Sequence, residues 1–434
     1  MNYVGTARPI HDAKGKATGY TKYAGDLSLP NMAYLCMLHS KIPHGYVKAV
    51  HAEKALALPG VYGVYHCLNT SERKYNRYRS SFDQAYLANE ERAFNQYVRF
   101  VGDKIGAVAA CDQETAEKAA RLVEVEYEEL PFSIGFDDTF AGENCLDGET
   151  PVRDEYTLEV GKKQESTEGL IEVCSTMELP RLHHATMETH ACIADYDPYI
   201  DMLTVYCPNQ AVHGIRTVLA DFLEMPESHV RVVKATMGGS FGAKQEWFLE
   251  PVTALVAKKL CRPVKLVYSR GEAMTDTIVR GAMRMSTRGY YTPDGEMKKI
   301  YCDVTLDAGA YIGNAGDYVR ALAGKPTRCY RIPYMHYHGQ VISSNSPVSG
   351  AFRSWSAAEE ALMMERQLDA AAEKLGMDRL AIRLKNVARS GEVDKKLHLS
   401  LEDIRIGDAI TLGSEKFGWD KLKAEDAAFN ASQQ

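Results

Sequence analysis

The spacing of apolar and polar residues along the chain predicts alternating strands and helices. Short apolar or alternating runs rich in β-branched residues are typical of strands, whereas apolar residues that recur at three- and four-residue intervals are typical of helices. On this basis we predict strands over 105–110, 122–127, 203–207, 229–235, 263–268 and 299–305, and helices over 113–122, 212–223, 248–260 and 360–375. This mixture predicts an α/β (α+β) fold.

The same pattern divides the chain into two folded units and a connecting segment. Residues 1–135 form the first predicted unit, which closes with the charged, alternating stretch 124–131 (EVEYEELP). Residues 136–169 are polar, charged and interrupted by glycine and proline, which is typical of a linker or a surface excursion. Residues 170–434 form the second predicted unit, in which the turn sequence 292–295 (TPDG) precedes an alternating strand and predicts a hairpin.

Composition narrows the classes of function. The chain of 434 residues is long enough for two or more domains, and its 51 Lys and Arg residues against 58 Asp and Glu residues give a formal net charge of −7. This balance argues against a general nucleic-acid-binding protein. The ten cysteines show no C-x-x-C pair, the N-terminus shows no secretory signal, and no apolar run is long enough to span a membrane. We therefore expect reduced thiols in the cytoplasm and no membrane partner.

An aromatic and basic stretch, 75–79 (YNRYR), is open to two interpretations. Such residues stack on RNA bases in some proteins, but they also occur in solvated loops and on surfaces that face a partner. We favour the solvated loop or partner-facing surface and assign the stretch no functional role.

A glycine-rich loop, 236–245 (TMGGSFGAKQ), separates a predicted strand from a predicted helix. Its glycines allow positive φ angles and a close approach to a ligand, so peptide N–H groups can face an anion or a polar heterocycle. The loop opens a predicted helix whose N-terminus favours negative charge. It is not a Walker loop, because Ala243 and Gln245 stand where a glycine and a magnesium-binding Ser or Thr are required. A tight turn without a ligand is the alternative.

Residues 181–194 contain histidine and glutamate residues that could form a metal site. On a strand, His184, Glu188 and His190 would share one face, and two histidines with a carboxylate are ligands of non-haem iron and of some zinc enzymes. Hydrogen-bonded structural groups are the more common role of such residues in an apolar strand. We assign no metal-ligand residues and keep a His/Glu metal-dependent enzyme as a less favoured alternative.

Six stretches occur in an order that resembles the large, molybdenum-binding subunit of the xanthine dehydrogenase and aldehyde oxidase family. They are 19–26 (GYTKYAGD), 58–61 (LPGV), 101–103 (VGD), 187–190 (METH), 236–245 (TMGGSFGAKQ) and 350–353 (GAFR). The resemblance runs nearly from end to end and is to the N-terminal half of a complete molybdopterin-binding subunit. It implies a hammerhead-type α/β domain over 1–135, followed after the linker by a molybdopterin-binding α/β domain over 170–434.

The resemblance also implies which residues bind the cofactor. They are Gly238, Gly239, Ser240, Phe241 and Gly242 of the loop and Ala351, Phe352 and Arg353 of the later motif. In this family a glutamine at the place of Gln210 hydrogen-bonds an oxygen ligand of molybdenum, and capping of the helix that follows is its alternative role. Ser240 and Ala243 replace glycines of the family's loop, and residues 354–359 (SWSAAE) replace its Gly-Phe-Gly-x-Pro-Gln continuation.

Three further positions match residues that act on the substrate in the family. Arg320 matches an arginine that orients the substrate and stabilises negative charge on a heteroaromatic ring, with a simple surface charge as the alternative. Trp355 takes the place of an aromatic residue that packs on the substrate ring, with core packing as the alternative. Gln245 stands where xanthine-oxidising members keep a glutamate, and its neutral amide argues against xanthine itself. Gln210 and Arg320 are the predicted catalytic residues.

The implied reaction is hydroxylation of a heteroaromatic or aldehyde-like carbon with water as the oxygen donor. In the family a glutamate far toward the C-terminus of the full-length subunit is the general base, and neither Glu246 nor Glu359 matches its position. The polar tail 429–434 (FNASQQ) is typical of a natural terminus or a linker. We therefore predict a second, medium-sized molybdopterin subunit that carries the base glutamate. We also predict iron–sulfur and FAD partner subunits and a molybdenum–pterin cofactor, as molybdopterin cytosine dinucleotide. A catalytically inactive scaffold or assembly subunit is the alternative.

Overall fold

The computed structural model describes residues 4–78, 89–142, 145–146, 150–163 and 166–433. The strands of these residues are β1 (Ala33–His39), β2 (Gly45–His51), β3 (Val61–His66), β4 (Lys74–Tyr75), β5 (Glu91–Arg92), β6 (Tyr97–Val98), β7 (Lys104–Ala110), β8 (Glu124–Glu129), β9 (Val152–Gly161), β10 (Ile171–Leu179), β11 (Ala191–Asp197), β12 (Met202–Cys207), β13 (Val230–Lys234), β14 (Val264–Val267), β15 (Met283–Tyr291), β16 (Met297–Asp307), β17 (Tyr334–Ile342), β18 (Glu392–Val393) and β19 (Ser400–Leu401).

The helices of the same residues are α1 (Ala13–Ala17), α2 (Glu53–Leu56), α3 (Gln113–Ala120), α4 (Phe136–Phe140), α5 (Val212–Phe222), α6 (Leu249–Leu260), α7 (Arg270–Asp276), α8 (Ala315–Ala323), α9 (Pro326–Cys329), α10 (Ala357–Leu375), α11 (Arg379–Asn386), α12 (Ile406–Phe417) and α13 (Trp419–Ser432). Single 3-10 turns lie at Ala24–Asp26 and Glu227–His229. Strands and helices alternate along much of the chain, so the predicted α/β class is confirmed.

One large sheet joins the two predicted units. Within the described residues its strand order is β13-β12-β11-β14-β1-β7-β3. Strand β1 of the first unit runs parallel to β14 of the second, with Ala33 opposite Val264 and Leu35 opposite Leu266. Helices α5 and α6 pack on its second-unit strands, and their apolar residues share one core with β1 and β7. Residues from both units therefore stabilise the same hydrophobic core.

A second sheet carries the rest of the core. Its strand order, in the part of the chain that the structure describes, is β10-β15-β16-β17-β9. Strands β15 and β16 pair antiparallel on either side of residues 292–295, which confirms the predicted hairpin. Helices α8 and α10 pack on this sheet, and α10 ends where Gly376 takes a left-handed φ of +64°. The sheet supports the later motif, which leads into α10.

The segment 136–169, expected to be a linker or a surface excursion, contains strand β9. Val152–Gly161 pairs antiparallel with β17, from Val152 opposite Ile342 to Gly161 opposite Tyr334. Strand β9 lies at the edge of its sheet and exposes many of its side chains. A polar composition is compatible with an edge strand as well as with a linker. The composition of residues 136–169 therefore could not distinguish an edge strand from a linker. The division into 1–135 and 170–434 stays a prediction.

Candidate functional site

The glycine-rich loop 236–245 lies between β13 and α6 and packs tightly on two other segments. Gly239 and Gly242 have φ angles of +103° and +106°, which side chains rarely tolerate. A Cβ atom on Gly242 would lie 2.3 Å from the carbonyl oxygen of Ala351. A Cβ atom on Gly238 would lie 2.5 Å from Cβ of Glu188. The loop therefore approaches both neighbouring segments more closely than any side chain would allow.

An ion pair holds the two ends of the loop together. Nζ of Lys244 donates to Oε2 of Glu188 at 2.6 Å, and the N–H of Gly238 donates to the same oxygen at 2.7 Å. Lys244 is buried; burial lowers its pKa, while the hydrogen bond to Glu188 opposes this shift. Removing either partner would leave a charge poorly paired in the interior, so the pair fixes the loop in one conformation.

Helix α6, which follows the loop, carries an acidic residue in its first turn. Helix α6 begins only at Leu249, and Glu250 in its first turn is buried. Burial raises the pKa of Glu250 to about 7, although the peptide N–H groups of Glu250 and Phe248 lower it by hydrogen bonding to the carboxyl. The acidic side chain at the start of α6 therefore lies close to peptide N–H groups of the same turn. Binding of an anion at this N-terminus stays a prediction.

Three successive peptide N–H groups of the loop itself have no acceptor among the described residues. Within the described residues, the N–H groups of Gly239, Ser240 and Phe241 donate no hydrogen bond. Phe241 has a φ of +55° and a side chain that is 51 % exposed, and its carbonyl accepts from the N–H of Arg353 at 2.7 Å. Successive N–H groups around a left-handed residue form a concave nest that binds anions. Arg353, whose backbone bonds to Phe241, is exposed and carries a positive charge.

Gln210 is held against the loop by its backbone and its side chain. Its N–H donates to the carbonyl of Lys244 at 2.8 Å, and its Oε1 lies 2.5 Å from Oγ of Ser240. Helix α5, which follows, has Ala211 as its N-cap and no side-chain cap. Capping of that helix, the alternative role of Gln210, therefore does not occur.

Gln210 and Gln245 line one cleft of about 350 Å³. Tyr78, Trp247 and residues 211–214 at the start of α5 form the other walls. Nε1 of Trp247 donates to the carbonyl of Asn76 at 2.8 Å, which fixes the indole at the cleft. The cleft thus combines two carboxamides with aromatic walls, which suits a planar molecule with polar edges.

The motif 350–356 makes a sharp turn close to this cleft. Ser354, Trp355 and Ser356 have φ angles of +90°, +44° and +63°. Each such residue costs roughly 1–2 kcal/mol when it is not glycine. Nζ of Lys325 donates to the carbonyl of Trp355 and to Oγ of Ser356 and holds the turn. The half-buried indole of Trp355 packs against Tyr318 and Tyr78, with ring centroids 5.4 and 6.4 Å apart, so core packing describes its present contacts.

Arg320 does not line the cleft with Gln210 and Gln245. It lies on α8, and its two terminal nitrogens donate to the carboxylate of Asp154 on β9, Nη2 at 2.9 Å. Its guanidinium also lies 5.5 Å from the ring centroid of Tyr156. These contacts describe a structural ion pair between a helix and the edge strand. The role of Arg320 in orienting a substrate stays a prediction.

The shared strand face assumed for His184, Glu188 and His190 is wrong, because residues 183–190 form no strand. Nε2 of His184 lies 2.8 Å from the carbonyl of Ala351, and Nε2 of His190 lies 3.0 Å from that of Ala243. Burial lowers the pKa of His184 to about 4 and that of His190 to about 3, so both rings are neutral near pH 7 and each donates to its carbonyl. These histidines support the motif and the loop as structural groups.

Glu246 occupies a position that the sequence did not reveal. It is 1 % exposed, and its Oε1 lies 2.6 Å from Nδ2 of Asn314 at the start of α8. A Cβ atom on Gly350 would lie 2.7 Å from the same oxygen. Burial raises the pKa of Glu246 to about 8, although the positive charge of Arg77 lowers it. Its carboxyl is therefore largely protonated near neutral pH and connects the loop, the later motif and α8.

The stretch 75–79 is not the solvated loop that we expected. Tyr75 and Arg77 are buried, and Nε of Arg77 donates to the buried carboxylate of Glu91 at 2.7 Å. Tyr78 lines the cleft, whereas Arg79 lies outside the described residues. An aromatic and basic composition does not indicate burial, because it is the pairing with Glu91 that compensates the charge of Arg77. The first unit thus contributes a wall of the candidate site.

The chain matches two domains that are known from other proteins. Residues 149–387 match the molybdopterin cofactor-binding domain, and residues 18–131 match the a/b hammerhead domain of aldehyde oxidase and xanthine dehydrogenase. The chain belongs to the xanthine dehydrogenase and aldehyde oxidase family. The predicted family is thus confirmed, and the loop, Gln210 and the later motif all fall within the cofactor-binding match.

Named relatives from bacteria agree with this membership. The chain is 30 % identical over 431 residues to the xanthine dehydrogenase molybdenum-binding subunit of Escherichia coli O157:H7, covering 95 % of this chain but 56 % of that protein. It is 30 % identical over 384 residues to the nicotinate dehydrogenase large molybdopterin subunit of Eubacterium barkeri, covering 88 % of both. The chain therefore spans about half of the first relative and most of the second.

Solved structures of the family share the fold. Quinoline 2-oxidoreductase from Pseudomonas putida 86 superimposes with a TM-score of 0.90 at 23 % identity, covering 98 % of this chain and 56 % of that one. The aldehyde oxidoreductase of Desulfovibrio gigas gives a TM-score of 0.89 at 24 % identity, over 97 % of this chain and 47 % of that one. Among the described residues, no helix is both long and apolar enough to cross a membrane.

Proposed function

We propose that this chain is the large molybdopterin-binding subunit of a heteromeric molybdenum-dependent oxidoreductase, which hydroxylates a heteroaromatic or aldehyde-like carbon with water as the oxygen donor. The observation that carries the proposal is the meeting of Gln210 and Gln245 in one cleft, with Gln210 bonded to a loop that offers three peptide N–H donors. A nest of N–H groups with an adjacent arginine fits an anionic pterin phosphate or dithiolene.

Each part of the site has a task in this proposal. The cofactor, when bound, supplies the two-electron oxidation. The N–H groups of Gly239, Ser240 and Phe241 bind its anionic part, and the backbone of Ala351, Phe352 and Arg353 supports the loop from the opposite side. Gln210 donates a hydrogen bond to an oxygen atom of the cofactor, Gln245 binds the polar edge of the substrate, and Tyr78 and Trp247 exclude water from its faces. A neutral amide at 245 can donate and accept, so the proposed substrate carries a neutral polar edge.

The general base comes, in this proposal, from a second, medium-sized molybdopterin subunit that carries the base glutamate. A base must lie within hydrogen-bonding reach of the proton that it removes. Glu246 is buried against Asn314, and the buried Glu359 lies 2.9 Å from Nε of Arg280. Neither carboxyl lines the cleft, which supports a base from outside this chain.

We further propose that the cofactor is molybdopterin cytosine dinucleotide and that iron–sulfur and FAD subunits carry electrons away in a cytoplasmic complex. Iron–sulfur centres need closely spaced thiolates, whereas the ten cysteines of this chain are scattered along it. The relatives named as a large subunit or a large chain support the heteromeric assembly.

Metal and nucleotide analysis of the purified complex tests the proposal. We expect near-stoichiometric molybdenum and release of a cytosine nucleotide on acid hydrolysis. Screening nicotinate, purines and aromatic aldehydes with the loaded complex then identifies the substrate. A complex that contains all its subunits but no molybdenum would reject the enzyme proposal.

Arg320 can be tested separately from the rest of the site. If Arg320 orients the substrate, Arg320→Met should lower kcat by about 10²–10³ without loss of molybdenum, because removal of a charge-stabilising donor costs about 2.7–4 kcal/mol. Asp154→Asn removes the same ion pair but keeps the guanidinium, and it should retain most of the activity. Equal losses in both variants, measured with equal molybdenum contents, would make Arg320 a structural residue.

A catalytically inactive scaffold or assembly subunit is the second candidate function. The observation that favours it is the pairing of Arg320 with Asp154. The guanidinium that we predicted to orient the substrate is thereby bound to a carboxylate of this chain. A scaffold predicts assembly with partner subunits but no molybdenum and no pterin. The same metal analysis therefore separates the two candidates.

A further inference from the structure

The hydroxyl of Ser240 lies among three hydrogen-bonding neighbours. The N–H groups of Gly242 and Lys244 donate to Oγ at 3.3 and 3.1 Å, and Oε1 of Gln210 lies 2.5 Å away. A serine hydroxyl has one hydrogen to donate and two lone pairs that accept. Because both backbone groups can only donate, the hydroxyl hydrogen is directed to Gln210.

This assignment fixes which end of the Gln210 carboxamide faces Ser240. Only the amide oxygen can accept the hydroxyl hydrogen, so Oε1 faces the loop. The separation of 2.5 Å also lies within the usual O–H···O range of about 2.5–3.0 Å and below the usual N–H···O range. The nitrogen Nε2 is therefore the end that remains for a ligand.

The backbone around Gln210 is held independently of this contact. The N–H of Gln210 donates to the carbonyl of Lys244 at 2.8 Å, and Nδ2 of the neighbouring Asn209 donates to the carbonyl of Glu246 at 2.8 Å. Ser240 itself is only 8 % exposed. Loss of the Ser240 hydroxyl would thus free the carboxamide to rotate without releasing its backbone.

We propose that Ser240 is a positioning residue that holds the carboxamide of Gln210 with Nε2 toward the cleft. Gln210 then acts only as a donor, and the ligand atom opposite it must be a hydrogen-bond acceptor. An alanine or glycine at 240 would allow the amide to turn and present its oxygen, which would repel such an acceptor. The identity of the ligand rests on the proposed function, whereas the orientation of Gln210 is a property of this chain alone.

Side-chain amide NMR of the full chain tests this orientation. In ¹⁵N-glutamine-labelled protein, the Gln210 signal is assigned by its absence in Gln210→Glu. We expect Ser240→Ala to move this signal toward the random-coil position and lower its heteronuclear NOE, whereas Ser240→Thr, which keeps the hydroxyl, should preserve both. Gln245 lies in the same cleft and serves as an internal control that should not change.

Two NMR outcomes would overturn the proposal. One is an unchanged Gln210 signal in Ser240→Ala, since the hydroxyl would then not hold the amide. The other is an equal change in Gln210 and Gln245, because Ser240 would then maintain the loop as a whole and not the orientation of one side chain.

Kinetics of the molybdenum-loaded complex provide the second measurement. We expect Ser240→Ala to lower kcat roughly tenfold with unchanged molybdenum content and KM, less than the ~10²–10³ loss expected for Gln210→Leu. Adding Ser240→Ala to Gln210→Leu should cause no further loss, and a full additional tenfold loss would contradict the positioning role. A complex without molybdenum would reject the proposed function. The NMR measurements would still decide whether Ser240 orients the Gln210 carboxamide.

Discussion

The loop 236–245 and the motif 350–356 pack against each other, but they reach left-handed backbone conformations in different ways. In the loop, glycines occupy two of the three positive-φ positions, Gly239 and Gly242, and Phe241 the third. In the motif, the three consecutive residues 354–356 have positive φ and none is glycine. The first segment is therefore close to its intrinsic preference, whereas the second is strained.

Contacts from other elements maintain the strained motif. Lys325 binds the Trp355 carbonyl and the Ser356 hydroxyl, and the guanidinium of Arg280 lies 4.1 Å from the ring centroid of Phe352. Nη2 of Arg280 also donates to the carbonyl of Arg353 at 3.2 Å. Strained conformations persist where the surroundings over-determine them, and they cluster at functional sites. The left-handed conformations of the loop thus rest mainly on its own glycines, whereas those of the motif rest on contacts with neighbouring elements.

Gly242→Ala should have the largest effect, because it breaks the contact between the two segments. A methyl group there would combine left-handed strain with a 2.3 Å approach to the Ala351 carbonyl, and we expect a loss of about 3–5 kcal/mol in the free energy of unfolding. Gly239→Ala is the matched control, because Gly239 has a similar φ but a Cβ atom there would lie 3.5 Å from its nearest neighbour. This variant should lose only about 1–2 kcal/mol in the free energy of unfolding. Urea unfolding measures both, and equal losses would show that close packing is unimportant.

Glu246→Gln tests the carboxyl that connects the two segments. The folded-state pKa of about 8 lies above the ordinary value of 4.5, so the folded protein binds a proton that the unfolded chain releases between these values. The stability contributed by the protonated carboxyl is complete below about pH 4.5 and is lost as pH rises toward 8. The glutamine variant should lack this loss and should exceed the wild type at pH 8 by roughly 2–4 kcal/mol.

Urea unfolding from pH 5 to 9 measures this difference. Other buried carboxyls, such as Glu250 and Glu360 with pKa values raised by burial to about 7, titrate in the same window, so the comparison must be between variant and wild type. The exposed Glu227→Gln is the control and should leave the pH dependence unchanged. Parallel stability curves for Glu246→Gln and the wild type would contradict the prediction.

Ser354→Gly should have the smallest effect and the opposite sign. Glycine relieves roughly 1–2 kcal/mol of left-handed strain but adds about 0.5–1 kcal/mol of unfolded-chain entropy, so we expect a net gain of about 0.5–1 kcal/mol. Ser228→Gly, at an exposed position without positive φ, should instead lose about 0.5–1 kcal/mol. Thermal unfolding distinguishes the two directions. A destabilised Ser354→Gly protein would show that the motif is not strained.

The sequence by itself determined the features that depend on neighbours along the chain. The helices predicted over 212–223 and 248–260 are observed as Val212–Phe222 and Leu249–Leu260, and the turn 292–295 connects a hairpin. Local periodicity and turn chemistry decide such elements, because they act within a few residues. The order of short motifs was also sufficient to identify the family.

Only the tertiary structure decided which side chains meet. Arg320 and Asp154 are 166 positions apart, and the pairing of Arg320 with an edge strand cannot be read from either local pattern. Tyr78 reaches the cleft because the first unit shares a sheet and a core with the second. The protonation state of the Glu246 carboxyl likewise depends on burial among three distant segments, which contain Arg77, Asn314 and Gly350. The spacing of apolar residues indicates which face of a segment is buried. The partner that compensates a buried polar group is set instead by the packing of the whole chain.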